Sequence, residues 1–267
     1  MAIDLSSLRT AGDGQKPPII CTYGIGGVGK TRFAGGAPSP VFIQLEDGMR
    51  NQSLKDIPTF GLLTTYTEVM EAMGSLIAED HSFKTVVFDT IDWLEPIVWT
   101  ETCKRNGWAT IESADYGKGY TAALDVWREF LDGCNVIRNE KNMTVIFLAH
   151  SAIKTFNAPD TEPYDRYRIK MHESKAGIGA APLFVEYVEF LFFMNYRTSI
   201  IKDDKPGAKK GTGHARGVGG GARVIYTEER PAFLAKNRDD MPDAIQLPDD
   251  PALAWAEVAQ HIPYFNK

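Results

Sequence analysis

From Pro17 onward the chain alternates short apolar runs with longer stretches of helical periodicity. The runs Ile19 to Tyr23, Val41 to Leu45, Thr85 to Phe88, Thr144 to Ala149 and Phe190 to Asn195 are each short, and most are rich in β-branched or aromatic residues. Such runs predict strands buried on both faces. Between them, Thr67 to Ala78 sets Val69, Met70, Met73, Leu76 and Ile77 on one helical face. Tyr120 to Ile137 likewise repeats Ala123, Leu124, Trp127, Phe130 and Leu131 at helical spacing. Both helices are long enough to cross between parallel strands. The pattern therefore predicts an α/β fold with a mainly parallel central sheet flanked by helices.

The flanks read differently. Residues 1–16 are polar and Gly-containing and predict a flexible N-terminal arm. Lys202 to Arg223 holds seven glycines and six Lys or Arg against two Asp, a local charge of +4, and predicts a mobile basic Gly-rich loop over 203–222. Arg223 to Tyr226 and Ala232 to Lys236 read as late antiparallel strands. Pro251 to His261 reads as a terminal helix started by Asp249 and Asp250, so that 249–267 packs as a C-terminal helix on the core.

Composition narrows the class. A chain of 267 residues that is 43% hydrophobic buries one substantial core, which predicts a single elaborated domain. The best candidate for a membrane span, Phe184 to Tyr196, is broken by Glu186 and Glu189, and the N-terminus lacks a basic-then-apolar leader pattern. No membrane partner and a cytoplasmic location are expected. Cys21, Cys103 and Cys134 are odd in number and far apart, which argues against a disulfide framework or a zinc site. The net charge of -6 gives no support for indiscriminate polyanion binding, so any nucleic-acid contact requires a local basic patch.

One string carries chemistry by itself. GIGGVGKT, residues 24–31, fits G-x-x-x-x-G-K-[ST] directly after a predicted strand. Glycines let successive backbone N–H groups turn inward on phosphate oxygens, and a helix starting near Gly29 adds its positive end. The candidate nucleotide contacts are Gly24, Gly26, Gly27, Val28, Gly29, Lys30, Thr31 and the following Arg32. Lys30 reaches the β and γ phosphates and Thr31 ligates magnesium in such loops. TVVFD, residues 85–89, offers Asp89 at a strand end as the second magnesium carboxylate; Asp92, three residues on, is the weaker choice. No [NT]KxD string appears, which favours ATP over GTP as the cofactor beside magnesium.

Two further strand ends are polar: Glu46 in VFIQLEDG and His150 in TVIFLAHS. With these the sequence resembles the RecA-like recombinase ATPases, most closely the phage branch of single-strand annealing proteins. DYGKGY, residues 115–120, adds to that likeness, which runs from about residue 17 to 248 and implies a RecA-like P-loop ATPase domain there. The resemblance implies that Glu46 is the catalytic glutamate and that His150 occupies the γ-phosphate-sensing position, where RecA proper has glutamine. It also implies that AKNR, residues 235–238, sends Lys236 and Arg238 to the ATP of a neighbouring subunit. Plain alternatives stay open: a solvated turn residue for Glu46, a hydrogen-bonded strand-end histidine for His150, and solvated charges for AKNR.

The same likeness implies single-stranded DNA as a partner, self-association into a ring or filament, and a single-strand binding protein as a further partner. Ser151 to Lys175 mixes Lys154, Arg166, Arg168, Lys170 and Lys175 with Phe156, Tyr164 and Tyr167, which suits backbone tracking plus base stacking. The Gly-rich segment adds Lys205, Lys209, Lys210 and Arg216. The leading reading is a DNA-stimulated ATPase acting in recombination or annealing, phage-encoded by resemblance. A helicase-loader-type assembly ATPase and a small-molecule or nucleotide kinase are the competing classes.

Overall fold

The five apolar runs do form strands, and they lie side by side. In the computed structural model β1 (Ile19–Gly24), β2 (Pro40–Gln44), β4 (Thr85–Asp89), β5 (Thr144–Phe156) and β7 (Phe190–Lys202) pair in parallel, with the short β3 (Thr59–Leu62) at one edge. The order across the sheet is β3-β2-β4-β5-β1-β7-β8-β9. Here β8 (Ala215–Tyr226) and β9 (Ala244–Leu247) are antiparallel additions, and β6 (Tyr164–Ile169) pairs only with β5. The structure describes residues 15–48, 54–114, 117–202 and 215–266, the side chains of 198–202 and 215–220 excepted.

Burial on both faces follows from the two-residue strand period. In β5, Val145, Phe147 and Ala149 enter one core cluster while Ile146 and Leu148 enter the other, and β1 and β4 divide the same way. The larger cluster lies under α2 (Tyr66–Ala78), α3 (Ile91–Asn106), α4 (Lys118–Glu140) and α5 (Ala180–Tyr187). The smaller lies under α1 (Lys30–Gly35) and α6 (Pro251–Ala259). The helix α2 is started by a reciprocal cap, in which Thr65 Oγ1 accepts from the Glu68 N–H and Glu68 accepts from the Thr65 N–H. Asp250 caps α6 by accepting from Leu253 N, within the helix expected at 251–261.

Several expectations change. Helix α3 is absent from the apolar pattern because its inner face carries buried Glu95 and Thr102 beside Ile91, Leu94 and Val98, and because Pro96 interrupts it. Gly107, at φ 68, ends that helix in the left-handed conformation that glycine adopts at no steric cost. Ser151 to Lys175 is not a loop throughout: β5 runs on past the parallel sheet to Phe156 and pairs with β6 as a hairpin. The expected loop at 203–222 is too long, since 215–222 is strand β8 laid against β7. Its glycines read as loop by composition, but ladder hydrogen bonds come from the backbone and need no side chain. A register shift between Tyr196 and Thr198 faces Gly221, whose φ of 71 suits a bulge.

Ala232 to Lys236 forms no strand; Phe233 and Lys236 make single bridges to Tyr167 and Leu191. Most of the expected N-terminal arm, the basic Lys205, Lys209 and Lys210, and Asp115 and Tyr116 of DYGKGY lie outside the described residues, as does the Arg216 side chain. The three cysteines are buried and free, and among the described residues no helix is long and apolar enough to cross a membrane.

Candidate nucleotide site

Parallel pairing puts the carboxyl ends of β1, β2 and β4, and the point where β5 leaves the parallel sheet, on one edge. Gly24 aligns with His150, Leu148 with Asp89, and Asp89 with Gln44. The β1–α1 connection, residues 25–29, turns there because three glycines allow it. A Cβ on Gly24 would collide with the Met194 carbonyl oxygen of β7. Gly27 and Gly29 stand at φ 76 and 102, where side chains are strained. Tyr196 and Arg223 support the loop from the far side: the Tyr196 hydroxyl donates to Gly27 O at 3.3 Å, and the Arg223 guanidinium packs against Gly29 while donating to Asp249 at 2.7 Å.

The cleft above this edge encloses about 300 Å³, at the lower end for small-molecule sites, and is lined by Gly27, Gly29, Lys30, Thr31, Glu46, Asp89 and His150 among others. Lys30 is 6% exposed, and its Nζ donates to Gly24 O at 3.2 Å and Ile25 O at 3.1 Å. Burial lowers its pKa, opposed by Asp89, Asp92 and Glu46. An ammonium resting on the loop's own carbonyls is poorly solvated and lies where phosphate oxygens would replace them.

Thr31 Oγ1 donates to Asp89 Oδ2 at 2.8 Å, while Asp89 Oδ1 is buried with no hydrogen-bond partner. Burial pushes Asp89 up to about 6, against the Thr31 bond that lowers it. A hydroxyl and a carboxylate meeting with an unmet, buried oxygen fit a hard divalent cation, which takes oxygen ligands. Glu46 is also raised, first by burial and then by Asp92, while His150, Lys30 and Lys170 oppose the shift.

The weaker magnesium candidate from the sequence, Asp92, has a different partner. Its carboxylate accepts from the His150 backbone N–H and meets His150 Nδ1, each at 2.9 Å. Its signal was a second carboxylate one helical turn beyond the strand-end Asp89, and only the crossing of α3 over β5 reveals its partner.

The remaining candidates lie elsewhere. Lys236 and Arg238 sit at the opposite end of the sheet, where Lys236 bridges Leu191 and Arg238 approaches Glu189 at 4.0 Å. The Glu189 backbone N–H donates to Ile19 O at the bottom of β1, about 16 Å down the strand from Gly24 at ordinary rise. Lys236 Nζ donates to Val185 O at 2.6 Å and so caps the last carbonyls of α5, whereas Arg238 is exposed.

On the hairpin, Arg166 is 4% exposed, ion-paired to Glu229 at 2.6 Å and packed over the Phe156 ring. Tyr167 stacks on Phe193, and Arg168 pairs with Glu173 at 3.1 Å. Lys154 donates to Met171 O at 2.8 Å, and Lys170 is exposed. Burial therefore removes Arg166 from the expected binding surface.

A family model described as an AAA domain, AAA_24, matches residues 16–239, and the chain belongs to that family of P-loop ATPase domains. The match takes in the loop, Glu46, Asp89, His150 and the AKNR segment. Among solved structures, the RadB recombinase aligns at 17% identity with a TM-score of 0.44, covering 88% of this chain and 90% of that one. No curated protein matches.

Proposed function

We propose that the chain is a magnesium-dependent, RecA-like ATPase that acts on single-stranded DNA in recombination or annealing and completes its site across a subunit boundary. The observation that supports the ATPase chemistry most directly is the meeting of Lys30, the Thr31–Asp89 pair, Glu46 and His150 in one cleft at one edge of four adjacent parallel strands. Thr31 and Asp89 would hold the magnesium ion, which supplies charge neutralisation between the β and γ phosphates. Lys30 would leave the Gly24 and Ile25 carbonyls for the γ-phosphate. Glu46 would orient the attacking water and take its proton, and partial burial raises its basicity for that task.

Arg238, exposed and remote from its own cleft, is the cation offered to a neighbour; Lys236 is engaged with α5. The hairpin β5–β6 leaves the sheet from the same edge as the cleft, with Lys170 exposed just past β6 and Ile153 exposed on β5. The test is ATP turnover with and without single-stranded DNA across protein concentrations. Turnover that rises cooperatively with concentration and with DNA supports the reading. A rate per chain independent of both removes the trans contact and the DNA. Phosphate transfer to a nucleoside in place of hydrolysis would move the chain to the kinase class.

A further inference from the structure

Helix α3 brings a buried carboxylate to the cleft that neither the phosphate loop nor the Thr31–Asp89 pair uses. Asp92 stands one turn beyond Asp89 with its side chain 3% exposed. It turns both oxygens on a single residue, Oδ1 to the His150 backbone N–H and Oδ2 to His150 Nδ1. Burial opposes its ionisation, but its contacts with His150 and Thr90 together hold it below the usual carboxylate range. An ionised carboxylate only accepts, so the ring proton on that edge belongs to Nδ1. His150 lines the cleft, and Nε2 is the ring nitrogen left to face it. In the neutral ring that nitrogen is an acceptor.

We propose that Asp92 is a positioning residue of this site: it locks His150 as the Nδ1–H tautomer and presents Nε2 to the cleft as an acceptor for the attacking water. The inference rests on the ATPase reading above. A side-chain amide in this place offers an N–H to the γ-phosphate; a neutral imidazole held in this way has no proton to give, and its partner in the cleft is a donor. Water is the donor that hydrolysis requires. Its oxygen bonds to the γ-phosphorus as the bond to the β–γ bridging oxygen breaks, and ADP leaves with that electron pair. One water proton passes to Glu46, and the other stays on the new phosphate while hydrogen-bonded to Nε2.

A plain strut between α3 and β5 would need only the backbone contact, and α3 already provides one. One turn on, Glu95 accepts from the His172 N–H with both oxygens, at 2.9 and 3.0 Å. The His172 ring instead stacks on Tyr120, with centroids 4.0 Å apart. The two carboxylates thus tie the same helix to the two ends of the hairpin, and Asp92 alone adds a bond to a ring nitrogen at the cleft.

The experiment is nitrogen NMR of the full chain labelled at histidine, with His150 assigned by its loss in His150→Gln, joined to ATP binding and turnover. The wild type is expected to show a protonated Nδ1 and a bare Nε2. Asp92→Asn offers an amide N–H to the ring edge and is expected to move the proton to Nε2. Turnover then falls roughly 10- to 100-fold, the range for losing an orienting partner, while ATP affinity stays within about threefold. Glu95→Gln leaves tautomer and turnover unchanged, and the Asp92→Asn/His150→Gln double variant loses no more than the worse single one. A wild-type ring protonated on Nε2, or exchanging between tautomers, overturns the proposal even if Asp92→Asn does not fold. So does a shifted tautomer with unchanged turnover. A wild type that hydrolyses no ATP overturns the ATPase reading instead, and the spectrum still reports whether Asp92 fixes the ring.

Discussion

The strand-end cleft and the β5–β6 hairpin adjoin on one strand, yet their charges are in opposite conditions. In the cleft, Lys30 leans on backbone carbonyls, Asp89 keeps one oxygen without a partner, and Glu46 is raised by burial. On the hairpin, Arg166 has Glu229 and Arg168 has Glu173, while Lys154 has a carbonyl and Glu173. Groups with unmet valence are poised for a ligand; groups already paired hold a fold together. A basic, aromatic-rich stretch of sequence therefore says less about binding than five polar residues brought to one edge.

The sharpest way to break this contrast is at Glu46. Glu46→Gln is expected to keep MgATP binding, by calorimetry, and to lose about 10²- to 10⁴-fold in turnover; unchanged hydrolysis would remove Glu46 from the chemistry.

Next in size, Arg166→Ala is expected to cost about 2 to 3 kcal/mol in urea unfolding, below the figure for fully buried pairs because Glu229 is half exposed and can be resolvated. A neutral effect on stability with a large loss of DNA affinity would return Arg166 to the binding surface.

Glu95 sharpens the comparison through pH. Burial pushes it up to about 7, opposed by the His172 N–H bond and Lys154. Because the folded-state value lies above the unfolded one, its contribution to stability is fully present below pH about 4.5 and is lost as pH rises through about 7. Unfolding midpoints at pH 5 and 8 should differ by up to about 3 kcal/mol from this group, and Glu95→Gln should flatten that slope. A wild-type stability that does not fall across this range, or an identical slope in the variant, would show Glu95 already ionised.

The smallest effect is expected at Lys170. Lys170→Ala should leave stability within about 0.5 kcal/mol, weaken single-strand binding uniformly across sequences and reduce the salt slope by about 1. Binding that keeps its full salt dependence would point to other cations.

Much of the core was legible in the sequence because its runs obey one rule each. The strands β1, β2, β4 and β5 appear where expected, since doubly buried strands need continuous apolar residues, and α2 and α4 follow the helical period. Helix α3 hid because a helix that carries Asp92 and Glu95 inward toward partners has polar residues where the pattern demands apolar ones. Strand β8 hid because Gly-rich composition resembles a loop while its backbone still completes a ladder.

The phosphate loop itself was determined by the sequence alone: Gly24 to Thr31 is contiguous, and its chemistry depends on local backbone freedom and adjacent side chains. The tertiary structure decided everything that depends on crossing elements. It joined Asp89 to Thr31, turned Asp92 onto His150, buried Arg166 against Glu229 and sent Arg238 to the far end of the sheet. Those outcomes follow from strand order and helix packing, which bring together residues dozens of positions apart, and no local spacing encodes which buried charge will meet which partner.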